Sequence, residues 1–117
     1  MNPLNYCTLE LSRKLVENGI DIETEAWWYK DDTNEWILVR QTSGDRIVSK
    51  NQIVPAPSFA ELWWELPEML WIGGKVFYLT LEKTDGYTHV GYDKHYNNTN
   101  PADALAELLI WVEGREK

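Results

Sequence analysis

The stretch Ile53-Val54-Pro55-Ala56-Pro57-Ser58-Phe59-Ala60-Glu61-Leu62-Trp63-Trp64 constrains this chain more than any other. Pro55 and Pro57 fix their own φ and push the residue before each out of the α region, so the approach is stiff and extended. Ser58 is a good helix N-cap, and Glu61 stands three residues on, where its carboxylate can accept from the cap's own N–H. A helix is expected from Phe59 to about Leu66, with Phe59, Leu62, Trp63 and Leu66 on one apolar face. Pro67 ends or kinks it, because its ring clashes with the carbonyl four residues back. The segment carries no chemistry; what it specifies is architecture.

The rest of the chain reads outward from that centre. Residues 8–18 predict a helix, capped by Thr8, with Cys7, Leu11 and Leu15 on one face. Gly19 supplies a left-handed stop and lets Ile20 fold back on the last turn. Residues 22–30 predict an aromatic strand, Asp31-Asp32-Thr33-Asn34 a turn, and 35–41 the returning strand. Ser43-Gly44-Asp45 marks another turn, with a third short strand at 46–49. Past the central helix, 68–70 reads as one further helical turn and Gly73-Gly74 as a break. Residues 75–83 form the clearest strand, Asp85-Gly86 a hairpin turn, 87–92 the return and 93–98 a loop. Asn100 caps a last helix with Pro101 at its first position, a Leu105-Leu108-Leu109-Val112 stripe and Gly114 at its end. The fold class is α+β: two helix–β-hairpin units plus a C-terminal helix, helices on one face of an antiparallel sheet, in a single globular domain spanning 1–117.

Charge narrows the function. The chain carries 19 acidic against 11 basic residues, a net charge of −8. That opposes direct nucleic-acid binding and attachment to anionic membranes. No apolar run approaches the roughly 20 residues of a spanning helix, and the first residues lack a signal peptide's basic start and apolar core. A single cysteine, Cys7, cannot form an internal disulfide. A cytoplasmic setting in a bacterial host is the expectation, with no cofactor.

Three stretches carry a resemblance: 7–20, with its short Leu-rich helix ending at a glycine; 53–64, the Pro-Ala-Pro-Ser step into a helix; and 92–112, ending in Pro-Ala-Asp-Ala-Leu-Ala-Glu-Leu-Leu. In these the chain resembles a set of small phage and prophage proteins of Bacteroides-type gut bacteria. It departs from them at the Trp63-Trp64 pair and at Pro67. The resemblance implies a phage-derived cytoplasmic context and brings no activity with it.

Tryptophan is the unusual component, with seven residues: Trp27, Trp28, Trp36, Trp63, Trp64, Trp71 and Trp111. Most belong in a core. Two pairs are adjacent in sequence, however. On a strand Trp27 and Trp28 point to opposite faces, and on a helix Trp64 is turned about 100° from Trp63. Trp64 and one of Trp27 or Trp28 are therefore candidates for an exposed aromatic binding surface. Asp31, Asp32 and Glu35 join them as an acidic neighbourhood suited to a basic protein partner, or to imitation of nucleic acid. The competing reading of these acids is a solvated strand edge. The aromatic surface could equally serve self-association. The alternative to a binding protein is a small enzyme or metal-binding protein with a site near His89, Asp93 and His95, which would share a strand face if the strand ran that far. Glu61 and Glu65 stand one helical turn apart, but Glu61 already has a capping role. Cys7 lies beside a helix start, which can activate a thiol, and also on the Leu11–Leu15 face, which would bury it.

Overall fold

The computed structural model describes residues 5–40 and 53–115. The turn expected at 43–45 and the strand expected at 46–49 lie outside them. Among the described residues, three helices and eight strands in antiparallel sheets make the fold α+β.

Helix α1 (Leu9–Glu17) starts at Thr8, whose hydroxyl accepts from the Leu11 N–H at 3.4 Å. It ends in a Schellman arrangement: Gly19 takes φ 73°, its N–H reaches Val16 O, and the Ile20 N–H reaches Leu15 O. Strands β1 (Ala26–Lys30) and β2 (Trp36–Arg40) pair antiparallel, with Trp27 opposite Val39 and Tyr29 opposite Ile37. Strand β1 begins later than expected, since residues 20–25 are not strand.

The proline segment is itself a strand in part. Strand β3 (Ile53–Pro55) pairs antiparallel with β1 at the sheet edge, where a proline's missing N–H is tolerated. Beyond it the Ala56 N–H reaches Ala26 O at 3.0 Å, and the Cys7 N–H reaches Pro57 O at 2.9 Å. The chain is thus tied on both sides as it enters helix α2 (Phe59–Glu65). The capping box is complete: Glu61 N–H donates to Ser58 Oγ at 3.1 Å and Ser58 N–H to Glu61 Oε1 at 2.8 Å. Glu61 does more than cap. Its Oε1 accepts from the Thr24 hydroxyl at 2.9 Å and its Oε2 from the Glu25 N–H at 3.1 Å, fastening the approach to β1 onto the start of α2.

The strands after α2 differ most from expectation. The turn expected at 68–70 is instead the start of β4 (Met69–Ile72), which pairs with β5 (Lys75–Tyr78). Gly73 and Gly74, at φ 59° and 82°, close a two-residue hairpin of the kind that requires left-handed residues. The long strand expected at 75–83 is split at Leu79, whose N–H donates to Glu68 O. Strand β6 (Thr80–Thr84) then turns through Asp85-Gly86 into β7 (Tyr87–Gly91). The loop expected at 93–98 contains a further strand, β8 (His95–Asn98), paired with β7. The strands thus form three small sheets, β2-β1-β3, β4-β5 and β6-β7-β8.

Helix α3 (Pro101–Arg115) runs through the middle of the core, one residue past the glycine expected to stop it. Leu105, Leu108, Leu109 and Val112 are buried together with Cys7, Leu11, Leu15, Leu62 and Val90, so α1, α2 and the third sheet all pack on this helix. Asn100 caps it by accepting from the Asp103 N–H at 3.2 Å. Asp103 in turn accepts from the Thr8 N–H at 2.8 Å and the Thr8 hydroxyl at 2.9 Å, joining the starts of α1 and α3. Burial pushes the Asp103 carboxyl above its ordinary range, opposed by these Thr8 bonds, with Glu107 and Glu10 adding to the rise.

Candidate binding face

In an antiparallel hairpin, residues opposite one another share a face and the faces alternate along each strand. In β4–β5 one face therefore carries Leu70, Phe77 and Ile72, half-buried and packed on the core, with exposed Lys75 beside Ile72 at the hairpin end. The other carries Met69, Tyr78, Trp71 and Val76. All four point outward: Trp71 is 67% exposed, Tyr78 60%, Met69 45% and Val76 36%. Of the eight strand residues only Lys75 is polar, so the hairpin is apolar on both faces and has a core for only one of them. Judged by the size of aromatic side chains, this face offers roughly 400 Å² of apolar surface. A contiguous patch of that size is at the level where monomers use it for contact. Both outer edges of the two-stranded sheet are also unpaired among the described residues.

Trp64 lies five positions before Met69 in the chain. It is 84% exposed, while Trp63 on the apolar stripe stacks on Phe59 with ring centres 6.2 Å apart. The pair Trp27–Trp28 behaves differently from expectation, because neither residue is exposed. Trp28 packs against Tyr6, Ala26 and Ala56 and donates its Nε1–H to Cys7 O at 2.9 Å. Trp27, on the opposite face of β1, is half-buried beside Val39 and Pro55.

The acidic candidates divide as well. Asp31 holds its own turn: its Oδ1 accepts from Thr33 N–H at 2.9 Å, the Thr33 hydroxyl at 2.6 Å and Glu35 N–H at 3.0 Å. Those bonds hold its carboxyl below the usual range, the Thr33 hydroxyl most strongly. Asp32 and Glu35 are exposed on the same turn. Glu25 is engaged by the Tyr6 hydroxyl at 3.0 Å and by Arg40 at 3.3 Å, which lower its pKa in that order. This acidic turn belongs to the first sheet, whereas the exposed apolar hairpin is a sheet of its own.

The residues of the enzyme alternative are not brought together. Strand β7 ends at Gly91, so His89 and His95 stand on adjacent strands, opposite Asn97 and Gly91 respectively, and Asp93 sits in the turn between. His95 Nε2 lies 3.3 Å from the Thr80 hydroxyl, and the Asp93 carboxylate accepts from the Lys94 N–H at 2.7 Å. Among the described residues no group of three or more His, Cys, Asp or Glu is placed to hold a metal ion. Cys7 is fully buried, its Sγ 3.6 Å from Ala102 O, and burial first, then the Asp103 and Glu61 charges, raise its pKa well above normal. Such a thiol is not a nucleophile at neutral pH. A cleft of about 450 Å³ lies between α1 and the proline segment, lined by Leu15, Ile20, Ile22, Pro55 and Pro57. Ser12 also borders it, but its Oγ is enclosed and has no partner among the described residues.

Among the described residues, no helix is long and apolar enough to cross a membrane. The chain matches no protein-family model, no curated protein and no solved structure with which it was compared.

Four members of the exposed face, Met69, Trp71, Val76 and Tyr78, escaped the sequence reading. A signal for them exists: an apolar alternation on both sides of Gly73-Gly74, with no polar face in either strand.

Proposed function

We propose that this protein is a non-catalytic binding module that engages another protein through the outward face of β4–β5. The carrying observation is the row of Met69, Trp71, Val76 and Tyr78, apolar and solvent-facing on a hairpin whose other face already has its core. Rigid aromatic side chains on strands suit protein contact, because they offer large area with few rotamers to immobilise. The resemblance to small phage and prophage proteins adds an accessory role in a bacterial host to this reading. The acidic turn at Asp32 and Glu35 tunes approach, while the apolar face supplies the affinity.

Capture from host-cell lysate tests the reading. Full-length protein and the variant Trp71→Thr/Tyr78→Thr are used as baits, each washed at low and high salt. A stoichiometric protein that survives the high-salt wash on the wild type and is absent from the variant is the expected result, because apolar burial is not screened by ions. Equal capture by both baits, or complete release by salt, would move the contact to the acidic turn.

A further inference from the structure

We propose that the cleft between α1 and the proline segment is a small-molecule site, suited to an amine with an apolar body and a hydroxyl at its far end. The site is independent of the β4–β5 face, none of whose residues lines it.

The cleft follows from local geometry. Ser12, Leu15, Val16 and Gly19 stand at i, i+3, i+4 and i+7, so they share one face of α1 and its end. Gly19, at φ 73°, sends the chain back, and Ile20 and Asp21 close one side. Pro55 and Pro57 form the facing wall. It is held in place by the Ala56 N–H on Ala26 O and the Cys7 N–H on Pro57 O. A volume of about 450 Å³ between apolar walls that are already fixed lies in the range of small-molecule sites.

Two polar groups set the chemistry of the ligand. The first is the Ser12 hydroxyl: the residue is 0% exposed, and its Oγ has no partner among the described residues. Buried hydroxyls are nearly always paired, and an unpaired one costs stability that alanine in its place would not. Val16, 53% exposed, leans over the turn before it, as helical side chains do, and so covers Ser12. A ligand that displaces this lip meets a hydroxyl in want of a partner. The second group is Asp21, an exposed carboxylate just past the C-terminal end of α1, where the helix dipole also favours a cation. Among the described residues no Lys, Arg or His lines the cleft to compete for it. The helical rise from Ser12 to Gly19 separates the two groups by about 10 Å, so one small molecule can bridge them.

NMR titration of the full chain tests this, with tyramine as the probe, phenethylamine as the control lacking the hydroxyl and 4-ethylphenol as the control lacking the amine. Tyramine should shift the backbone amides of residues 12–22 and of Ala56 with a Kd of about 1 mM, ordinary for a ligand of about ten heavy atoms. Each control should bind roughly tenfold more weakly. Ser12→Ala should weaken tyramine roughly tenfold and leave phenethylamine unchanged, and it should raise the thermal midpoint of the free protein. Asp21→Asn, at an exposed position, should weaken tyramine and phenethylamine and leave 4-ethylphenol unchanged. Absence of tyramine shifts at these residues up to about 10 mM overturns the site. Binding of 4-ethylphenol as tight as that of tyramine overturns the amine, and a lowered midpoint in Ser12→Ala overturns the role given to the hydroxyl. None of these outcomes bears on the β4–β5 face, which the lysate capture judges separately.

Discussion

Two small antiparallel sheets lie next to each other in the chain and treat solvent in opposite ways. In β6–β7–β8 the inward row on β7 and β8, Val90 and Tyr96 with Thr88 and Asn98 beside them, is covered by α3, while Leu81 and Lys83 continue the row onto exposed β6; Asn98 Nδ2 donates to Glu107 on that helix at 3.0 Å. Its outward row is Thr80, Glu82, Thr84, His89, His95 and Asn97, with Tyr87 its one exposed aromatic, close to the polar row a half-buried sheet normally presents. In β4–β5 the inward row is equally apolar, yet the outward row is Met69, Trp71, Val76 and Tyr78. The switch happens within one stretch of backbone, between Tyr78 and Thr80. Folding needs only the inward rows. The apolar outward row therefore calls for an explanation outside the fold, and a partner supplies one.

The largest expected effect breaks the polar sheet. The β7–β8 turn folds back so tightly that a Cβ on Gly91 would stand 2.1 Å from Lys94 O and 2.7 Å from His95 Cα, both backbone. Gly91→Ala should destabilise the protein by about 3 kcal/mol in chemical denaturation, at the upper end for overpacking. Next comes a pair of neighbours on β5. Phe77→Ala removes an inward ring and should lower stability by about 2 kcal/mol, below the value for a fully buried phenylalanine because Phe77 is only half-buried. Tyr78→Thr removes an outward one and should leave stability within about 0.5 kcal/mol. Equal losses at the two positions would dissolve the comparison.

Smaller again is an effect of pH. The Asp103 carboxyl titrates above 3.8 in the folded chain, chiefly through burial. Between that value and its raised folded pKa the folded form holds a proton that the unfolded chain has lost, so stability falls as pH rises through the window. Asp103→Asn should flatten that stretch of a stability–pH profile. Because the single amide oxygen of Asn can still accept from the Thr8 N–H but not also from its hydroxyl, the loss at neutral pH should be about 1 kcal/mol. The smallest change is at Cys7, where native protein should react with a maleimide far more slowly than unfolded protein at neutral pH.

How much of this could be read from residues alone depends on which forces act locally. The caps at Thr8, Ser58 and Asn100 and the Asp85-Gly86 turn follow from short-range backbone chemistry, and the structure contains them all. The strand at 69–72 was hidden because Glu68, Met69 and Leu70 are good helix formers; pairing with β5 and burial of Leu70 override that preference. Strand β8, written His-Tyr-Asn-Asn, has weak strand propensity and is held by β7 and α3. Strand β3 was masked by its own Pro55, which an edge position accommodates. The exposed face shares that difficulty, since it exists only once Met69-Trp71 and Val76-Tyr78 are recognised as opposite strands. Trp64 needed no tertiary information: its position beside the apolar stripe of α2 is enough to turn it outward.

Thermal unfolding of Trp71→Thr/Tyr78→Thr, at a concentration too low for association, tests the central claim most directly. On the proposed reading the outward row of β4–β5 serves a partner rather than the fold, so the midpoint should stay within about 3 °C of the wild type. A fall of about 10 °C or more would show that these side chains hold the protein together, and would contradict the account.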